Sequence, residues 1–131
     1  MRALASDRLL RGIALAAAAF GLLTIWAGGH TLFGGEAVRR AAGAYVPFVL
    51  WFNFLAGFAY VAAAAGLWHR RRWAAALALA IAVTTLVVFA AFGVHVLHGG
   101  AFEMRTVAAM TLRSVVWLAI ASVAIGRLCR T

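Results

Sequence analysis

Residues 9–33, 43–68, 73–97 and 106–125 form apolar runs that are almost free of charge, separated by short segments that carry most of the arginines. Each run is close to the roughly 20 residues that cross a bilayer as a helix. Short connections make successive helices antiparallel neighbours. The pattern therefore predicts an all-α integral membrane protein, an up-down-up-down four-helix bundle occupying residues 1–131 as one domain. The first run follows Arg2, Arg8 and Arg11 in the manner of a signal peptide. It is long and lacks a small-x-small cleavage site, so it reads as a retained span.

Composition agrees with this reading. The 131 residues are 66% hydrophobic and 11% charged, with a mean hydropathy of +1.00, which excludes an ordinary soluble domain. A net charge of +9 raises the question of nucleic acid. The arginines punctuate apolar runs instead of forming a patch, so no nucleic-acid partner is expected and the charge reads as topology. The single cysteine, Cys129, rules out an intrachain disulfide and a CxxC redox pair. All twelve basic residues are arginine and alanine is abundant, which fits a GC-rich bacterial coding sequence. The N-terminus, the turn at 69–72 and the C-terminus hold Arg2, Arg8, Arg11, Arg70, Arg71, Arg72, Arg127 and Arg130; the opposite side holds Arg39, Arg40 and Arg105. The positive-inside rule then places both termini in the cytoplasm of a bacterial inner membrane. Trp68 and Trp73 bracket the cytoplasmic turn like an aromatic belt, and Arg70 to Arg72 anchor it to anionic lipid.

One pattern, G-x-H-x-L-x-G-G, occurs twice. Gly28, His30, Leu32, Gly34 and Gly35 match Gly93, His95, Leu97, Gly99 and Gly100 at an offset of 65. Each copy is followed by an acid and a base, Glu36 with Arg39 and Glu103 with Arg105, while Trp51 and Trp117 correspond after a one-residue slip. The turn at 69–72 divides the copies between two hairpins, as an internal duplication about a pseudo-twofold axis along the membrane normal would. The paired glycines stand where an apolar run stops, and glycine takes the left-handed conformation that ends a helix. An imidazole in the last turn suits the negative end of the helix dipole.

The histidines also admit a functional reading. His30 and His95 lie at matching depths, about one turn below the outer surface, on two helices that run in the same direction across the bundle. Two converging imidazoles there would ligate haem b, with Gly28 and Gly93 leaving room for the macrocycle and Arg39, Arg40 and Arg105 pairing with propionates. A bare transition metal, zinc or copper, is the competitor, held by His30, His95, His98, Glu36 and Glu103 with Met104 nearby. Phe33 stands at the position matching His98, so the duplicated set is His30 and His95.

Arg113 is the most costly residue to place. It lies roughly 12 Å along the helix beyond Arg105, deep enough to be a functional candidate by default, with snorkelling to the headgroups as the alternative. With Arg105 it offers a positive field for an anionic group. Asn53, Thr84, Thr85, Thr111 and Ser114 are placed to form a polar layer under the histidines. Trp51, Phe54 and Phe58 share one face of the second span, as the lining of a quinone or porphyrin pocket or as packing and lipid contact.

Four short spans in about 130 residues, with GLWHRRRWAAALALA joining the second and third, resemble DoxX-like membrane proteins at Gly66, Leu67 and Arg70. That resemblance implies a small subunit associated with quinone-linked or thiol-linked redox complexes. The paired G-x-H-x-L-x-G-G motifs depart from it, so it assigns no residue roles. Three functions are then expected in order: a haem or metal protein for electron transfer or metal handling; a cofactor-free accessory subunit of a respiratory complex, or a homo-oligomer; and a small oligomeric transporter in which Arg113 draws an anion into the bundle. No catalytic triad, phosphate loop or zinc-protease helix is present.

Overall fold

The computed structural model describes residues 2–129, with side chains from residue 7 onward. Arg130 and the Arg2 side chain, both counted in the charge asymmetry, lie outside what is described. Five helices follow in order: α1 (Arg2–Phe33), α2 (Glu36–Ala42), α3 (Pro47–Trp68), α4 (Arg72–Leu97) and α5 (Met104–Leu128). The segments Asp7–Phe33, Pro47–Trp68, Arg72–Leu97 and Met104–Leu128 are long and apolar enough to cross a membrane. The chain is thus a multi-pass membrane protein. Its large outward-facing side chains fit that solvent: Leu22, Leu23, Trp26, Val87, Leu97 and Val115 are all exposed.

The long helices are arranged in a ring: α1 packs on α3, α3 on α4 and α4 on α5, whereas α5 only brushes α1. Small residues set the tight seams, as expected where lipid gives no hydrophobic push between helices and close approach must hold them. A Cβ on Gly57 would stand 2.8 Å from Ile25 Cγ1, and one on Gly21 would stand 2.8 Å from Val61 Cγ2. Between α3 and α4 the buried Ala63, Ala64, Ala74, Ala75 and Ala78 do the same work. The α1–α5 seam has no comparable close packing. Across the centre, the Tyr60 and Trp117 rings meet at 4.7 Å and tie α3 to α5.

Both α4 and α3 end as left-handed caps. In α4 the Gly100 amide donates to His95 O (2.9 Å) and the Gly99 amide to Val96 O (3.0 Å), with Gly99 at φ 81. In α3 the same pair of bonds runs from Arg71 to Gly66 O (2.8 Å) and from Arg70 to Leu67 O (3.2 Å), with Arg70 itself at φ 55. Arg70 offsets that strained position by pairing with Asp7 of α1 at 2.5 Å. Arg11 lies 5.1 Å over the exposed Trp68 ring, a cation–indole pair at the end of the bundle bearing the termini.

The opposite end, here the α2 end, departs from expectation. Residues 36–42, expected as loop, form a short helix, and the second span begins at Pro47 instead of residue 43. The reason is local: Gly43 at φ 74 breaks the helical path, Val46 is extended, and Pro47 takes a first-turn position where its missing amide costs nothing. The turn is then gripped from α5. Glu103 Oε1 accepts the Ala44 amide at 2.8 Å and Arg105 Nη2 donates to Ala42 O at 3.1 Å.

Candidate functional site

The two copies of the repeated motif present opposite halves to the interior. On α1 the buried stripe runs Leu10, Ala14, Ala17, Gly21, Thr24, Gly28. Gly28 lies against Phe54 of α3, where a Cβ would stand 3.0 Å from Phe54 Cβ. Two residues on is about 200° around a helix. His30 accordingly projects to the outside, exposed and stacked on Trp26 at a centroid distance of 5.3 Å. On α4 the relation is reversed. Gly93 has open space where a Cβ would go, and His95 is half-buried beside Phe92 and Phe48, its Nε2 2.9 Å from Ala101 O. The glycines diverge too, with the left-handed residue at Gly35 in the first copy and at Gly99 in the second.

His30 and His95 are therefore not brought together, since one faces outward from α1 and the other is bound into the cap of α4. His98 is exposed at the C-cap of α4. Glu36 is exposed and pairs with Arg40 at 3.2 Å, while Glu103 serves the Ala44 amide. Among the described residues no group of three or more His, Cys, Asp and Glu side chains is placed to hold a metal ion. Arg39 and Arg105, the expected propionate partners, donate to the carbonyls of Leu32 and Ala42. This geometry gives the shared haem or metal centre nothing to rest on. The expected polar layer is also dispersed. Thr84, Thr85, Thr111 and Ser114 each bond to a carbonyl of their own helix, and only Asn53 keeps a buried Oδ1 without a partner. Trp51, Phe54 and Phe58 form an edge-to-face ladder with Phe33, and Trp51 and Phe58 are exposed on the outside of α3.

What the fold does assemble is a cavity around Arg113. It extends from the α2 end between α1, α3 and α5, has a volume of about 290 Å³, and is lined by Thr24, Gly28, Asn53, Arg105, Thr106 and Arg113 among others. A second hollow of about 490 Å³ lies between α1 and α5 and is lined by Ala16, Ala19, Leu23, Thr24, Leu112 and Arg113 among others. None of the four histidines lines either space. The two meet at Thr24, Ala27 and Arg113.

Arg113 does not snorkel to the α2 end. Its Nη1 donates to Thr24 Oγ1 at 3.0 Å and to Tyr60 OH at 3.2 Å. Its guanidinium carbon lies 5.1 Å from the Phe20 centroid and 5.8 Å from that of Tyr60. These contacts hold the side chain level with, or deeper than, its own backbone. Among the described residues no carboxylate pairs with it, and its Nε is buried without a hydrogen-bond partner. The Nη1 side is committed to two hydroxyls. Nε is closed to contact from either space, which leaves Nη2 as the donor that bonds to no described residue.

Nothing in the sequence marks Thr24 or Phe20 as partners of Arg113, and Tyr60 stands out there only as one of several aromatic residues on the second span. The available signal was that Thr24 is the polar member of the α1 stripe, at the spacing that puts it inward.

The fold and this cavity define a small multi-pass membrane protein with an unneutralised cation inside the bundle. Comparison with protein-family models, with curated proteins and with solved structures gives no match.

Proposed function

We propose that this chain is a membrane-embedded binding protein for an anionic ligand, anchored by the guanidinium of Arg113. The single observation that carries this reading is a cation at the meeting point of two cavities with no carboxylate partner. A charged arginine at the centre of a spanning helix costs about 2.5–3.5 kcal/mol on insertion scales, and no carboxylate among the described residues forms an ion pair with this one. An oxyanion accepting a charge-assisted bond from Nη2 would do so. Asn53, nearer the α2 end, keeps a buried Oδ1 without a partner, an acceptor that a hydroxyl or other donor on the ligand would satisfy and the anionic group itself would not.

On this reading the protein sits in a bacterial inner membrane with both termini in the cytoplasm, as the arginine asymmetry favours, and the α2 end of the cavity faces outward. Its task is the binding or carriage of an anion, the role in which Arg113 draws the substrate into the bundle. The haem or metal reading is less well supported, because its two primary ligands occupy different faces of the molecule. The test is native mass spectrometry of protein extracted from its membrane in a neutral maltoside. The expected result is an anionic adduct retained by the wild type and lost from Arg113→Gln. An adduct retained equally by both would refute the assignment.

A further inference from the structure

We infer that the ligand is an anionic amphiphile that enters sideways from the bilayer, its head group at Arg113 and its apolar tail in the open seam between α1 and α5. The inference rests on the anion reading above and adds to it the class of ligand and the route.

Three observations support it. First, of the four helix pairs that complete the ring, only α1 and α5 fail to pack closely, and the hollow of about 490 Å³ lies in that gap. Its walls are apolar, Ala16, Ala19, Leu23 and Leu112, and the first three recur at spacings of three and four on α1. They form a continuous strip, with alanines providing the room. From Thr24 to Ala16 is eight residues, roughly 12 Å of groove running from the charge toward the termini end.

Second, the groove has a charged head and an uncharged body. Thr24, Arg113 and the Tyr60 hydroxyl lie together at one end of the groove, and none of its other lining residues carries a charge. A wholly water-soluble anion has no use for the apolar strip, and a neutral lipid has no use for the cation. An amphiphile matches both parts. Because a tail gains little by moving from lipid into a protein groove, the charge is what selects and holds the ligand.

Third, the α2 end gives an anion no net attraction. Glu103 and Arg105 both bond to the turn at 42–44, and both line the first cavity. A carboxylate and a guanidinium at one mouth offset each other for an anion arriving from water. The lateral seam carries no acidic residue.

The test uses the intact protein in neutral maltoside micelles and reads the shift of its thermal unfolding midpoint. Probes are dodecyl phosphate, dodecanol and methyl phosphate, each on wild type, Arg113→Gln and Ala19→Trp, the last filling the seam without touching the charge. Ala16→Phe is the second seam variant, and circular dichroism of each unliganded variant confirms that it is folded. The expected result is a dose-dependent upward shift with dodecyl phosphate alone, weakened at least tenfold in apparent affinity in both Arg113→Gln and the folded seam variants. If methyl phosphate stabilises the wild type through Arg113 and the seam variants bind dodecyl phosphate normally, the lateral amphiphile is overturned while the anion reading stands. If dodecyl phosphate shifts wild type and Arg113→Gln alike, both fall.

Discussion

Arg113 is held on one side only. Thr24 and Tyr60 take Nη1, aromatic rings cover its faces, and Nε has no partner. Such a residue contributes little to stability in the unliganded state, because the cost of the charge is offset only by bonds worth about 1.5–3 kcal/mol each where a charged group is involved. Arg113→Leu is therefore expected to leave the unfolding free energy in maltoside within about 1 kcal/mol of wild type, and a loss well beyond that would make the arginine structural. The histidines contrast with each other. His95 bonds to Ala101 O and packs on Phe92, so His95→Ala is expected to cost about 1 kcal/mol. His30 touches Trp26 of its own helix and is otherwise exposed. His30→Ala is expected to change stability by less than about 0.5 kcal/mol. Neither substitution is expected to alter the absorption spectrum or metal content of the purified protein. A Soret band lost in both variants would restore the haem reading.

Among the elements, glycine position separates a seam from open space. Gly57 meets Ile25 and the Gly21 carbonyl across the α1–α3 contact, whereas Gly93 meets nothing. Gly57→Leu must push two helices apart and is expected to lower stability by about 1–3 kcal/mol. Gly93→Ala, which only gains helix propensity, is expected to be neutral or to stabilise by up to about 1 kcal/mol; thermal unfolding of the two variants side by side tests the contrast. The spans themselves were legible in the sequence because apolar runs of bilayer length admit few other structures. α2 was not, since seven residues carry too little periodicity and its limits are set by the left-handed Gly43 and by a grip from Glu103 and Arg105, 59 and 63 residues from the groups they hold. The glycine reading of the helix ends was legible as far as Gly99. The opposed faces of the two histidines were also legible in principle, since G-x-H puts glycine and histidine on opposite sides of a helix. What the letters do not state is which of the two turns inward, and that depends on the neighbouring helix.

For the whole molecule, the open seam follows from how the ring closes. Glycine and alanine draw α1 to α3 and α3 to α4, Tyr60 and Trp117 fill the centre, and α1 and α5 are left standing apart around one arginine. The sequence marked Arg113 as costly but could not place its partners, because Thr24 and Tyr60 lie 89 and 53 residues away. Pairing at such separations appears only when the bundle is assembled. The claim that this arginine holds an anion is tested most directly by the equilibrium affinity of the protein for dodecyl phosphate in nanodiscs of neutral phosphatidylcholine. Wild type, Arg113→Lys and Arg113→Gln are compared. The expected order is wild type tightest, lysine weaker because a mobile point charge replaces a planar guanidinium fixed by Thr24 and Tyr60, and glutamine weaker than wild type by at least tenfold. Equal affinity in all three would contradict the account.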